Sequence, residues 1–221
     1  MEIRRTANAG VLLKLDGVSI LLDGVCREVK PYLATPVWER EALSSCWPDL
    51  VAFTHEHADH YDPDYAAAYQ RQSGGVILGP VSPLGCNVSL SPVTIKGITV
   101  TVVPSRHIGA AYQDAEHVSY IVHGSRCVWF TGDASPLQWK DRPDLPRPDV
   151  LIAPYAYAAT ATALRQVCQL GAKMLVLLHL PNREEDPYDL WDAVESAVKQ
   201  QKDLQVYIPA VGQVQNLPAF P

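Results

Sequence analysis

The chain has 221 residues, with 18 Lys and Arg against 24 Asp and Glu, a formal net charge of −6. That length fits one large domain or two small ones with a substantial core, and 48% hydrophobic with 19% charged residues is the balance of a soluble globular protein. An acidic chain without a basic run argues against a nucleic-acid backbone as the main partner. No apolar run approaches the ~20 residues that a membrane span needs.

The opening, Met1 to Thr6, has no apolar leader and runs straight into patterned sequence. The five cysteines (Cys26, Cys46, Cys86, Cys127 and Cys168) are odd in number, scattered and form no CxxC. Reduced thiols and a cytoplasmic location are the expectation. Gly10–Leu15 and Val18–Leu22 flank Asp16-Gly17, a hairpin signal, and begin a β-meander that Asp23-Gly24 closes. Residues 25–48 break the pattern with Pro31, Tyr32, Pro36, Trp38, Trp47 and Pro48, leaving a short helix over Val37 to Cys46.

The apolar run Asp49–Phe53 reads as a short buried strand. Asp62-Pro63-Asp64 starts a helix to Gln72, with an Asp N-cap and Pro in the first turn, and Gly74-Gly75 stops it. A strand at Val76–Pro80 and a hairpin over Thr94–Pro104, turning at Lys96-Gly97, follow. Val118–Val122 and Arg126–Thr131 form another hairpin across His123-Gly124-Ser125. Asp149–Pro154 and Lys173–Leu178 are near-continuous apolar runs, as in strands covered on both faces. Thr160–Leu170 and Asp189–Gln201 are helical, and Leu204–Ile208 is a last strand before a proline-punctuated tail. Periodicity supports an α/β protein with room for two sheets, in one domain over residues 1–221.

Chemistry concentrates at Thr54-His55-Glu56-His57-Ala58-Asp59-His60, where three of the seven histidines fall within six residues. Imidazole and carboxylate are ligands for divalent metals. In an extended segment His55 and His57 point to the same side. Three further candidates close or follow apolar runs: His107 in Pro104-Ser105-Arg106-His107, Asp133 in Phe130-Thr131-Gly132-Asp133, and His179 in Leu177-Leu178-His179-Leu180. Such a donor set suits Zn²⁺ or Mn²⁺, and also Fe²⁺.

His55-x-His57-x-Asp59-His60, with His107, Asp133 and His179 following in order, resembles the metallo-β-lactamase superfamily of binuclear metal hydrolases across nearly the whole chain. The resemblance implies a four-layer αββα sandwich of two mixed sheets flanked by helices. It implies His55, His57 and His107 around one ion, Asp59, His60 and His179 around a second, and Asp133 between them. A metal-bridged hydroxide, oriented by Asp59, would then cleave a phosphodiester, lactone or thioester in a small molecule, and one or two charges on that substrate, anionic ones included, are compatible with a metal centre. Asp23 is expected to buttress the metal-binding loop or simply form a turn. His117, in a segment where some superfamily phosphodiesterases place a histidine, is expected to protonate the leaving group or hold an anionic oxygen, with a plain loop histidine as the alternative. Arg106, Tyr32, Trp38, Tyr155 and Tyr157 are further candidates for substrate contact.

Members similar to L-ascorbate-6-phosphate lactonase have a glycine-rich turn where this chain has Tyr155-Ala156-Tyr157, which speaks against that substrate. Two other functions stay open: a mononuclear-iron oxidoreductase resembling persulfide dioxygenases, and a non-catalytic metal-binding sensor. His57 stands where flavodiiron proteins carry an acid and speaks against that group.

Overall fold

A computed structural model describes residues 1–80, 88–201 and 204–217 of the chain. Seven strands form the first sheet. In chain order they are β1 (Glu2–Arg5), β2 (Val11–Leu15), β3 (Val18–Leu22), β4 (Leu50–Ala52), β5 (Val76–Leu78), β6 (Val88–Ser89) and the last strand, β14 (Val214–Asn216). The spatial order is β14-β1-β2-β3-β4-β5-β6, antiparallel up to β3 and parallel from there on.

The second sheet holds β7 (Val93–Ile95), β8 (Ile98–Ser105), β9 (His117–His123), β10 (Cys127–Phe130), β11 (Val150–Pro154), β12 (Met174–Leu178) and β13 (Gln205–Tyr207). They lie in reverse spatial order, with β7 to β10 antiparallel and β10 to β13 parallel. Helices α1 (Val37–Ser45) and α2 (Pro63–Ser73) connect the first sheet, and α3 (Ala161–Leu170) and α4 (Leu190–Gln200) connect the second.

Alternation along the strands builds the layers. Val11, Leu13, Ile20 and Leu50 from the first sheet meet Val100, Tyr120, Phe130, Ile152 and Val176 from the second in the central core. Leu12, Leu21 and Val51 face the other way, onto Leu43 of α1 and Tyr65 and Tyr69 of α2. Trp129, Leu151 and Leu175 face outward onto Leu164 and Val167 of α3 and Val194 of α4. The layers are therefore α, β, β, α, the architecture that the resemblance implied.

Most expected elements are present with ends shifted by a residue or two. Asp62 caps α2, accepting from the backbone N–H of Asp64 and Tyr65, with Pro63 in the first turn and left-handed Gly74 at the end. Three strands went unexpected. Glu2–Arg5, Val88–Ser89 and Val214–Asn216 are only two to four residues long, and are drawn into the sheet by their neighbours. Cys86 lies outside the described residues; the other four cysteines are free thiols. No helix among the described residues is long and apolar enough to cross a membrane.

The sheets are fastened where the metal-ligand candidates gather. Tyr120 on β9 donates its hydroxyl to the Phe53 carbonyl at 2.6 Å, and the Val118 N–H donates to the Thr54 carbonyl at 2.9 Å. Gly132 fits this seam because it has no side chain: at φ 51° a Cβ there would lie 2.5 Å from Thr54 Cγ2 and Oγ1. Gly132→Ala should therefore cost about 2–3 kcal/mol through strain and overlap. Thermal unfolding followed by circular dichroism should show a midpoint lower by roughly 5–10 °C.

Candidate metal centre

All seven ligand candidates converge at one edge of the sandwich, because β4, β8, β10 and β12 all end there. His55 follows β4, His107 follows β8, Asp133 follows β10 and His179 follows β12. His57, Asp59 and His60 come from the loop after β4, where His60 N–H and Tyr61 N–H both donate to the His57 carbonyl and curl the chain back. The His107 and Asp133 segments are held side by side by a bridge between His107 and Ala134, and the Ile108 N–H donates to the Asp133 carbonyl at 2.7 Å.

Ligand atoms of His55, His57 and His107 lie within 4.8 Å of one another, and so do those of Asp59, His60 and His179. His55 Nε2 is 3.0 Å from His57 Nδ1. Asp133 Oδ2 is 3.3 Å from Nε2 of His60, 3.3 Å from Nε2 of His179 and 3.7 Å from Nε2 of His107. His179 Nε2 is also 3.2 Å from Asp59 Oδ2. Ligands of a tetrahedral ion with ~2.1 Å bonds are themselves roughly 3.4 Å apart. The buried Nε2 atoms of His60, His107 and His179 and Oδ1 of Asp133 lack hydrogen-bond partners among the described residues. Buried polar atoms without partners are costly, and a divalent ion in each ligand set would satisfy them. The residues fit the metal that the motif implies.

Second contacts fix which ring nitrogen points inward. Thr54 Oγ1 donates to Asp23 Oδ2 at 2.6 Å, so it accepts from His55 Nδ1–H at 2.9 Å and leaves His55 Nε2 bare. Asp23 also accepts the Thr54 N–H at 2.7 Å and His60 Nδ1–H at 2.8 Å, which turns His60 Nε2 toward the ligand set. His107 Nδ1–H donates to the Ile108 carbonyl at 2.6 Å. Asp23 is thus an orienting residue of the second ligand set, held in the left-handed region at φ 46°; His179 is held there too, at φ 62°. Such carboxylate–histidine pairs raise ligand basicity and fix the tautomer.

In the metal-free protein the carboxylates and imidazoles balance one another. Burial favours a protonated Asp133, but His179 and His60 outweigh it and hold the carboxyl well below its usual range. Burial likewise opposes a charged His179, yet Asp133 and Asp59 raise its pKa to about 9. His60 is driven well above its ordinary value against burial by Asp133 and Asp23. His55 is pushed well below by burial and by neighbouring His60 and His117.

His117 starts β9, directly across from Ser105. Ser119 Oγ donates to the Thr131 carbonyl and accepts from Ser105 Oγ, which in turn accepts from His117 Nδ1–H at 2.8 Å. Its ring packs 5.0 Å from that of His55 and 5.5 Å from that of His107, and burial pushes its pKa down to about 3. His117 is a neutral imidazole behind the first ligand set and does not line the cavity over the centre.

That cavity has a volume of about 600 Å³, with His57, Asp59, His107, Asp133 and His179 at its floor and Tyr32, Tyr112 and Tyr155 among its walls. The other candidates for substrate contact lie elsewhere. Arg106 is exposed, its main chain tied to Gln138 and Ser135. Trp38 is 53% exposed on α1, and Tyr157 is buried, accepting from Trp139 Nε1 at 2.7 Å. Tyr112 was not legible in the sequence: it reaches His57 and His107, with ring centroids 5.1 and 5.0 Å away, only through the loop that Gly109 opens at φ 90°.

Residues 2–179 match the family model of the beta-lactamase superfamily domain. The chain belongs to this superfamily. A UPF0173 metal-dependent hydrolase from Methanopyrus kandleri is 24% identical over 220 residues, covering 88% of this chain and 92% of the relative. Among solved structures, an isothiocyanate hydrolase from Delia radicum gut bacteria superimposes with a TM-score of 0.71 at 17% identity, with both chains covered in full. The diiron beta-hydroxylase CmlA from Streptomyces venezuelae superimposes at 0.63 and 14% identity, over 98% of this chain and 54% of that one. The curated relatives are described as metal-dependent hydrolases, while the superimposed structures include hydrolases and a hydroxylase.

Two tests follow from the geometry. Asp23→Ala should weaken metal binding about 10–100-fold, measured by chelator competition, with unchanged far-ultraviolet circular dichroism. A ligating imidazole must be neutral, and His179 is protonated below its pKa of about 9 in the metal-free protein. Metal uptake at pH 7 should therefore release protons, and affinity should rise as pH increases toward 9; calorimetry in buffers of different ionisation enthalpy measures the release.

Proposed function

We propose that this protein is a binuclear metal-dependent hydrolase, cleaving an ester-type bond (phosphodiester, lactone or thioester) in a small molecule. The observation that carries the reading is Asp133 Oδ2, which stands between Nε2 of His107 in one ligand set and Nε2 of His60 and His179 in the other. His55, His57 and His107 would hold one ion, Asp59, His60 and His179 the second, and Asp133 would bridge them. When bound, two divalent ions supply Lewis-acid polarisation and a hydroxide nucleophile near neutral pH. Nitrogen and carboxylate donors without a thiolate favour zinc or manganese, with iron next. A cytoplasmic setting is part of the same proposal.

Within this site Asp59 has a second duty. Its carboxylate lines the cavity floor beside His179 and accepts a hydrogen bond from the attacking water, turning the oxygen lone pair toward the substrate. Asp23 and Thr54 keep the Nδ1–H groups of His60 and His55 on the far side and turn both Nε2 atoms toward the ligand sets. His117 lies too deep to meet a substrate directly, and its part here is to brace the rings of His55 and His107.

Asp59→Asn keeps the shape and loses the carboxylate, and should lower kcat by about 100-fold or more across a panel of lactones, thioesters and a phosphodiester. Stripping with a chelator should abolish turnover, and zinc or manganese should restore it. Undiminished hydrolysis after stripping would overturn the proposal. Dioxygen uptake on a persulfide by protein holding one iron per chain would replace it with the oxidoreductase reading.

A further inference from the structure

Apart from the ligands, the cavity wall consists of Val29, Ala58, Ile108, Pro154, Ala156 and the rings of Tyr32, Tyr112 and Tyr155, with Gly109 between them. No Lys or Arg lines it among the described residues. Sites that select phosphate or carboxylate groups set Arg or Lys against them. Here a charged substituent would lie unpaired against apolar walls, at a cost that a neutral one avoids.

Two polar groups interrupt this wall. Tyr32 stands edge-on to His179, with centroids 4.3 Å apart and planes at 86°, and Tyr155 lies 6.3 Å from the same ring. Both side chains line the cavity beside its ligand floor, and each phenol carries one O–H that can donate to a ligand oxygen. Both rings are held from the main chain. Val29 and Tyr32 exchange N–H···O bonds of 3.0 and 2.7 Å, and Tyr155 opens a turn closed by the Ala158 N–H at 2.9 Å.

We infer that the substrate is an uncharged acyl compound with an apolar substituent, an ester, lactone or thioester and not a phosphodiester, whose oxygen is met by the Tyr32–Tyr155 hydroxyl pair. The inference rests on the hydrolase reading above and narrows it. Hydrolysis adds water across the acyl bond: the water oxygen joins the acyl carbon, one proton goes to the departing oxygen or sulfur, and the other leaves from the new acid. A fixed phenolic donor stabilises negative charge as it develops on such an oxygen, without attracting an anionic ground state.

The test uses the metal-loaded full chain and two hydroxamates with one metal-binding head. Hexanohydroxamic acid has a neutral tail, and adipic acid monohydroxamate ends in a carboxylate. Calorimetry should find the neutral-tailed compound bound at least about tenfold more tightly, and Ala156→Lys, which sets a cation in the wall, should erase that margin. p-Nitrophenyl hexanoate should be turned over faster than bis(p-nitrophenyl) phosphate. Tyr155→Phe should lower kcat/KM for the ester about 10–100-fold, with metal content and hydroxamate affinity nearly unchanged. Equal or reversed hydroxamate affinities, or faster phosphodiester cleavage, overturn the substrate class while leaving the hydrolase intact. Unchanged kcat/KM in Tyr155→Phe overturns the tyrosine assignment. Failure to bind either hydroxamate or to cleave any compound would count against the hydrolase reading itself.

Discussion

The metal-ligand constellation depends on Thr54, the residue at which the two sheets are fastened. Its carbonyl accepts from Val118 in the second sheet, its N–H and hydroxyl both donate to Asp23 in the first, and its Oγ1 fixes the tautomer of His55. Its side chain also fills the space left by Gly132, one residue before Asp133. Four of the seven candidate ligands come from the loop after β4 and three from ends of the second sheet. Neither sheet alone contains either complete ligand set. A shift of the sheets by even one residue would separate His55 and His57 from His107, because packed interiors yield in discrete steps and not smoothly.

Electrostatics explains why this edge cannot be left to the protein alone. Five imidazoles and two carboxylates are crowded together, all but His57 largely removed from water. Without a cation, the carboxylates hold protons on His60 and His179 that a ligand must lose. The fold supports this unfavourable arrangement with a continuous core between the sheets and with strained left-handed backbone at Asp23 and His179. Strain of that kind persists only where surrounding structure over-determines it, and divalent ions are the groups that would make use of it.

The sequence was most informative where a single element decides the outcome. The apolar runs that became β4, β10, β11 and β12 have too little polarity for anything except covered strands, and their ends carry His55, Asp133 and His179. The four-layer architecture came from the ligand pattern, because alternation alone does not say how many sheets form. What required three dimensions was contact between distant segments. β14 exists because Val214–Asn216 pairs with β1, at the opposite end of the sequence. Tyr155 and Tyr157 look equivalent in sequence, but the turn after β11 sends one into the cavity and the other to Trp139. Asp23 reads equally well as a turn residue until His60 and Thr54 are brought against it.

Whether two distinct ions share Asp133 is tested most directly by site-resolved metal counting. Wild-type protein, His107→Ala and His60→Ala should be purified without chelator, loaded with zinc and analysed by plasma mass spectrometry and anomalous diffraction. Two ions per chain are expected in the wild type. His107→Ala should keep only the ion beside His60 and His179, and His60→Ala only the ion beside His55 and His57. A wild type that holds a single ion at saturation, or variants that each lose all metal together, would contradict a shared binuclear centre.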